Sequence, residues 1–316
     1  MRIHRDLAGL PATARGASVA IGNFDGVHRG HREVIRMAAG HAGALGRPLG
    51  VITFEPHPRE VLNPASAPAR LTPLRRKAEL IRALGVDHLY VLRFDSRLLH
   101  LSPEAFVDEI LLGELGVAAI VTGRDFRFGH RRSGDTGLLA ALAARDEVPA
   151  TVVDQIDVMG MACSSTEIRR ALADGLVERA ATLLGYPYQI EGVVRPGDQR
   201  GRTIGFPTAN VHPLPRRPLL PATGVYAVEA GVRLGREIVW RPAVANLGRR
   251  PTFDGRSLLL EVHLLEGGGD LYGQRLRVAF KHRLRGEQKF ADIDELRAQI
   301  ARDCEHARAL HAPIPA

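Results

Sequence analysis

The stretch Gly22-Asn23-Phe24-Asp25-Gly26-Val27-His28-Arg29-Gly30-His31 gathers groups that handle polyanions. Glycines let a phosphate approach the backbone, and a helix starting after them offers unpaired N–H groups. His28 and His31, three apart at a helix start, project onto one side of that turn. Imidazoles placed there can donate hydrogen bonds to phosphate oxygens as charge builds in a transition state. A metal pair and two plain surface histidines are the competing readings. A metal site would need a third ligand, and no Cys or carboxylate cluster supplies one nearby. A second group is Ser164-Ser165-Thr166-Glu167-Ile168-Arg169, whose hydroxyls precede the helical run Glu167–Ala173. Hydroxyls at a helix start meet free N–H groups and a positive dipole end, and Arg169 one turn in can fork onto phosphate oxygens. Ser164 with Glu167 also fits a capping box, so capping and phosphate binding can coexist. A third segment, Gly197-Asp198-Gln199-Arg200-Gly201-Arg202-Thr203-Ile204-Gly205-Phe206-Pro207-Thr208-Ala209-Asn210, mixes glycines, arginines and a Pro-Thr pair; taken alone it also reads as a flexible inter-strand loop. In Leu260-Glu261-Val262-His263-Leu264, period-two alternation puts Glu261 and His263 on one strand face.

The elements that must position these groups fall into two textures. Apolar runs at Ser18–Phe24, Leu49–Phe54, His88–Phe94, Val117–Thr122 and Ala150–Ile156 are followed by segments of helical period, such as Leu74–Leu84 and Pro103–Leu115. Strands separated by helices imply βαβ units in a doubly wound parallel sheet, whose ligands sit at the carboxyl ends of the strands. From about Tyr186 the strand-like runs are Gln189–Arg195, Gly224–Ala230, Glu237–Ala245, Ser257–Leu265 and Gln274–Lys281, separated by Gly- and Pro-rich turns. Strands without intervening helices predict an antiparallel sheet or small β-barrel. Asp292–Leu310 reads as a terminal helix, with Asp292 as N-cap and Glu295 three residues on. No repeat or low-complexity linker is present, so two closely joined domains are expected, 1–185 and 186–316.

Composition removes several classes. The 316 residues are 45% hydrophobic and 25% charged, which excludes a disordered chain, a collagen-like repeat and a disulfide scaffold. No run approaches the roughly 18 apolar residues of a membrane span, and the N-terminus lacks a signal-peptide core. Cys163 and Cys304 read as packing residues, and a cytoplasmic protein is expected. The net charge of +8 fits anionic partners or a plain bias toward arginine, since only Lys77, Lys281 and Lys289 are lysines. No GxxxxGK[ST] occurs, so phosphate chemistry here must proceed without a Walker lysine.

GNFDGVHRGH resembles the HxGH nucleotidyltransferases. With Thr53-Phe54-Glu55-Pro56-His57-Pro58, Gly123-Arg124-Asp125-Phe126-Arg127-Phe128-Gly129, the SSTEIR run and GFPTAN, nearly the whole chain is similar to the prokaryotic bifunctional riboflavin kinase/FMN adenylyltransferases. The resemblance implies that ATP and riboflavin give FMN in the rear domain, and ATP and FMN give FAD and pyrophosphate in the front one. It implies that His28 and His31 stabilise the α-phosphate. Gly22, Phe24, Asp25, Gly26, Asp125, Ser164, Ser165, Thr166 and Arg169 would serve ATP and its phosphates. Phe54, His57 and Pro58 would line the flavin side, where a Pro-rich turn is the bland reading. The family often has asparagine at Asp125; an ionised carboxylate near ATP is unfavourable unless it faces the ribose, an amide or a metal ion. In the rear domain the resemblance makes Thr208 and Asn210 ligands of Mg²⁺, which suits oxygen donors. Gly201, Arg202, Gly205, Phe206 and Pro207 would hold the nucleotide, and Glu261 of the E-x-H run would be the general base. Glu266, beside a triple-glycine turn, is the nearest rival to Glu261. Family-like pieces also include Asn246-Leu247-Gly248 and the late run around Arg285, which would border the flavin or form a solvated basic turn. Two alternatives are another HxGH nucleotidyltransferase with a regulatory barrel, and a basic RNA-binding protein. The second predicts exposed aromatics, yet aromatics are only 5% and no RNP-like stretch occurs, so neither nucleic acid nor membrane is an expected partner.

Overall fold

The computed structural model describes residues 1–7, 9–197, 205–214, 219–235, 237–252, 255–267 and 270–312. They form two compact units, Met1–Ser165 and Thr166–Ala316.

In the first unit, strands β1 (Arg2–His4), β2 (Ser18–Ile21), β3 (Leu49–Glu55), β4 (His88–Arg93), β5 (Ala119–Gly123) and β6 (Ala150–Val153) form one sheet in the order β1-β4-β3-β2-β5-β6. Every pairing is parallel. Both faces are covered, which is why the strands read as continuous apolar runs. Along β2, Val19 and Ile21 join a cluster with Phe106, Val107 and Leu142, while Ala20 joins Ile35, Ala38 and Ile81 on the opposite face. The helices are α1 (Arg29–Leu45), α2 (Pro58–Leu62), α3 (Leu74–Arg82), α4 (Ser96–His100), α5 (Pro103–Ala105, running on as a π-helix over Phe106–Glu114) and α6 (Thr136–Ala144). From β2 the chain proceeds to β3 on one side and later reaches β5 on the other. Strand order therefore reverses at β2, where a doubly wound sheet opens its ligand crevice. The loop after β2 carries His28, and the loop after β5 carries Asp125. Five of the six strands coincide with the expected runs. The short edge strand β1 carries two polar residues in three and gives no apolar signal. A two-stranded hairpin, β7 (Asp157–Val158) and β8 (Met161–Ala162), follows the sheet.

The second unit contains α7 (Ser165–Ala173, whose first residue closes the first unit), α8 (Val177–Leu184), and strands β9 (Tyr188–Arg195), β10 (Ala209–Pro213), β11 (Gly224–Leu234), β12 (Glu237–Thr252), β13 (Gly255–Leu264) and β14 (Arg275–Arg285). The strands close into a barrel in the order β10-β13-β12-β11-β14-β9, with β9 pairing back to β10. All its pairings are antiparallel. Tyr188, Tyr226 and Phe280 fill it, with Tyr226 meeting Phe280 edge to face at 5.2 Å. The terminal helix α9 (Ile293–His311) starts as predicted: Glu295 N–H donates to Asp292 Oδ1 at 2.8 Å, and Ala291 N–H to Glu295 Oε2 at 2.8 Å. Its Cys304 and Ala307 pack with Val225, Ala227 and Val244.

One feature differs from the loop reading of the GFPTAN segment: Ala209 and Asn210 begin β10. The compact units meet inside α7, between Ser165 and Thr166, and the rest of α7 with α8 is tied to the barrel. Ala222 N–H donates to Leu172 O at 2.9 Å, and His282 pairs with Glu178 at 3.1 Å. Helical period marks both helices but cannot say which sheet they cover.

Candidate functional site

The loop leaving β2 turns sharply. Phe24 (φ 48°), Gly26 (φ 91°) and Val27 (φ 40°) all take left-handed conformations. For the two side-chain-bearing residues that costs about 1–3 kcal/mol each, offset by burying both nearly completely. The loop is also fastened from outside. Thr53 Oγ1 donates to Asn23 O at 3.2 Å, Gly26 N–H to Thr72 Oγ1 at 2.9 Å, and Ser165 Oγ to Asp25 O at 2.9 Å. The Asp25 carboxylate, 3% exposed, accepts from Leu71 N–H at 3.1 Å and Thr72 N–H at 2.9 Å. Phe24 and Asp25 thus face the protein and shape the loop, while Gly22 remains half-buried along it.

His28 is the N-cap of α1, and its Nδ1 accepts from His31 N–H at 3.3 Å. With Nδ1 an acceptor, a neutral His28 carries its proton on Nε2, the far side of the ring. The His31 ring stacks on it, centroids 3.6 Å apart. Gly30 between them is closely surrounded: a Cβ there would lie 3.2 Å from the His28 ring and 3.3 Å from Cys163 O. Phe54 is buried and meets Phe94 edge to face at 6.3 Å. His57 caps α2 through Nδ1, which accepts from Arg59 N–H at 3.1 Å, and Pro58 occupies the first helical turn. Burial pushes the His57 imidazole down to about 4, with Asp25 opposing and Arg70 and Lys77 assisting. Asp125 lies exposed in the turn after β5. Ser164 precedes α7 and Ser165 begins it; Thr166 and Arg169 belong to the second unit, exposed and half-buried respectively.

In the barrel, register aligns Asn210 of β10, Glu261 of β13 and Asn246 of β12 in one row on the same face. Glu261 is half-buried between Leu260 and Val262, which point to the opposite, fully buried side. The GFPTAN turn docks beside it. His263 Nδ1 lies 2.8 Å from Pro207 O, and Phe206 meets the His263 ring edge to face at 5.5 Å. Gly205 takes φ 87°, and Thr208 is half-buried. Gly197 lies so close to the Asn210 amide that a Cβ there would collide with it. Gly201 and Arg202 lie outside the described residues. Arg285 is anchored on α9: its Nη2 donates to Asp303 Oδ2 at 2.8 Å, and its Nε contacts both Asp303 oxygens. Among the described residues no group of three or more His, Cys, Asp or Glu could hold a metal ion.

Residues 10–167 match the FAD synthetase family and residues 184–311 match the riboflavin kinase family. Over 304 residues, 96% of each chain, the sequence is 44% identical to the bifunctional riboflavin kinase/FMN adenylyltransferase of Escherichia coli K12. The chain belongs to the bifunctional riboflavin kinase/FMN adenylyltransferase family. Relatives of the same description share 43% identity in Pseudomonas fluorescens (99% of each chain) and 40% in Bacillus subtilis (92% of this chain, 90% of that one). A solved structure described as a macrolide-efflux protein from Streptococcus pneumoniae has the same fold throughout, with a TM-score of 0.86, 30% identity and coverage of 97% of this chain and 98% of that one. Among the described residues no helix is long and apolar enough to cross a membrane. The two activities are ordered along the chain, FMN adenylyltransferase first and riboflavin kinase second.

One part of the adenylyltransferase unit escapes sequence reasoning. Lys77 of α3, 1% exposed, donates to Thr53 Oγ1 at 3.3 Å and pairs with Glu55 at 3.5 Å. Arg70 bridges Glu55 at 2.6 Å and Glu60 at 2.7 Å. Burial lowers the Lys77 ammonium against the pull of Glu55 and Asp25. For Arg70, burial is outweighed by Glu60 and Glu55, which raise the guanidinium. This network braces Thr53 and Glu55, and through Thr53 the loop at Asn23. A signal was available: Lys77 sits on the stripe Leu74, Ala78, Ile81, where a helix otherwise buries apolar groups.

Proposed function

We propose that His28 and His31 carry the adenylyl transfer and Glu261 the kinase step. In the first unit an FMN phosphate oxygen attacks the α-phosphorus of ATP, forming the new P–O bond as the bond to pyrophosphate breaks. No covalent enzyme intermediate is needed, so positioning and charge stabilisation do the catalysis. The observation that carries this reading is His28 itself: in the loop after β2 it caps α1, its Nδ1 accepts from His31 N–H, and Nε2 is the nitrogen left to act as a donor. Gly22 and Gly26 let the nucleotide near the backbone, with Asp125 at the opposite side of the crevice. Ser164, Ser165, Thr166 and Arg169 hold the departing phosphates, and Phe54, His57 and Pro58 the flavin side.

In the barrel the riboflavin 5′-hydroxyl attacks the γ-phosphorus of ATP, the bond from that phosphorus to the β–γ bridging oxygen breaks as ADP leaves, and Glu261 accepts the hydroxyl proton. Mg²⁺ fits the donors present, since Thr208 and Asn210 offer hard oxygens and the lack of a side chain at Gly197 leaves room for the Asn210 amide. When bound, the ion neutralises charge on the β- and γ-phosphates. Gly201, Arg202, Gly205, Phe206 and Pro207 frame the nucleotide, and Arg285, set by Asp303, borders the flavin. The partners are small molecules: ATP, riboflavin and FMN. We place the enzyme in the cytoplasm, where ATP is at hand and the buried thiols Cys163 and Cys304 stay reduced.

The test is separation of flavins after incubation with ATP, Mg²⁺ and riboflavin. His28→Ala is expected to accumulate FMN with FAD formation lowered at least about a hundredfold, as for loss of a charge-stabilising donor. Glu261→Gln is expected to make little FMN yet convert supplied FMN to FAD. FAD formation at the wild-type rate in His28→Ala, or FMN formation at that rate in Glu261→Gln, overturns the corresponding assignment.

A further inference from the structure

We propose that Cys163 is a positioning residue for adenylyl transfer: its thiol donates a hydrogen bond to His28 Nδ1 and so holds His28 in the Nε2–H tautomer. The inference rests on the assignment of His28 to that reaction.

Cys163 is 4% exposed, and its backbone N–H is fixed to Ile156 O at 3.0 Å. Its Sγ lies 3.6 Å from His28 Nδ1, within reach of a hydrogen bond to sulfur. Gly30 N–H donates to the same sulfur at 3.4 Å. A thiol can accept on its lone pairs while donating its single proton. With the acceptor role filled by Gly30, the S–H is directed to the ring.

The opposite arrangement, Nδ1–H donating to sulfur, conflicts with a second contact. His31 N–H points at Nδ1 from 3.3 Å, and a proton on Nδ1 would face that N–H head on. Two donors therefore converge on one ring nitrogen, one from the helix backbone and one from a side chain, and the ring proton is left on Nε2. Burial raises the Cys163 thiol above its ordinary value, which keeps the S–H in place. Gly30 belongs to the same arrangement, since a Cβ there would press on both the His28 ring and Cys163 O. Cys163 also directly precedes Ser164, Ser165 and Thr166. One segment thus supplies hydroxyls for the phosphates and sets the proton of the histidine.

The test uses the full chain with ¹⁵N-labelled histidine, the His28 signals being assigned by their loss in His28→Gln. In the unsubstituted protein, His28 is expected to show a pyridine-type Nδ1 and a pyrrole-type Nε2. Cys163→Ser keeps a donor and is expected to keep both signals. In Cys163→Ala, Nδ1 moves toward the pyrrole type. There kcat for FAD formation falls about threefold to tenfold, the loss of one neutral hydrogen bond, with KM for ATP and FMN little changed. Riboflavin phosphorylation at the normal rate, together with an unchanged melting curve, reports intact folding. If Cys163→Ala does not fold, Cys163→Val, closer in volume, takes its place. Unchanged His28 nitrogen signals in the Ala or Val variant overturn the proposal, as does a serine variant as impaired as alanine. A His28→Ala chain that still makes FAD removes the assignment of His28 to catalysis but leaves the tautomer measurement standing on its own.

Discussion

At Gly30 two opposing effects can be weighed. Alanine in place of glycine favours a helix by roughly 0.5–1 kcal/mol. The new methyl would lie 3.2 Å from the His28 ring and 3.3 Å from Cys163 O, so the ring must shift by a few tenths of an ångström. Gly30→Ala is therefore expected to leave the melting temperature within a few degrees of the original while lowering FAD formation at least about tenfold, because small misplacements cost more in a transition state than in a fold. Flavin chromatography beside a melting curve checks both halves; full activity would show that the ring accommodates the methyl. The neighbouring placement of the His28 and His31 rings follows from their spacing of three at a helix start, and the rings stack. The part played by Asp25 was not legible in the sequence, because its partners Leu71 and Thr72 are 46 and 47 residues away and only the folded chain brings them near.

At the scale of elements, strands that bury both faces announced themselves, whereas β1 and β10 did not. β1 pairs on one side only, with β4, and carries arginine and histidine. β10 is short and begins inside a motif whose glycines and prolines read as loop. Helix α2, five residues long, is capped by a histidine, which has a consequence for acid stability. The folded value of His57 lies near 4, below its ordinary 6.5, chiefly through burial. Protonation thus favours the unfolded chain. The stabilisation is complete above about 6.5 and is lost as pH falls from there toward 4. Urea midpoints at pH 7.5 and 5.5 are expected to drop more in the unsubstituted protein than in His57→Gln. Equal drops in both would show that His57 does not contribute in that window.

For the whole molecule, the texture of the sequence changes near residue 186, from strands alternating with helices to strands alone, and the two family matches cover residues 10–167 and 184–311. The helices between them carry no mark of allegiance in sequence. In the folded chain α8 buries Val177, Ala180, Leu183 and Leu184. Losing that burial costs on the order of 5 kcal/mol. A truncated chain of residues 166–316 is therefore expected to phosphorylate riboflavin and to resist urea clearly better than one of residues 186–316. Equal midpoints would mean that α7 and α8 are dispensable to the barrel.

Closure of the barrel also sets an order of events during synthesis. Its ring of hydrogen bonds is completed only when β14, at residues 275–285, reaches β9, at residues 188–195. The parallel sheet has its last strand by Val153. On the ribosome, the FAD-forming half can assemble while the other half is still being translated. The FMN-forming half must wait for β14, and a chain cut short between β13 and β14 leaves an open sheet with two unpaired borders, β9 and β11.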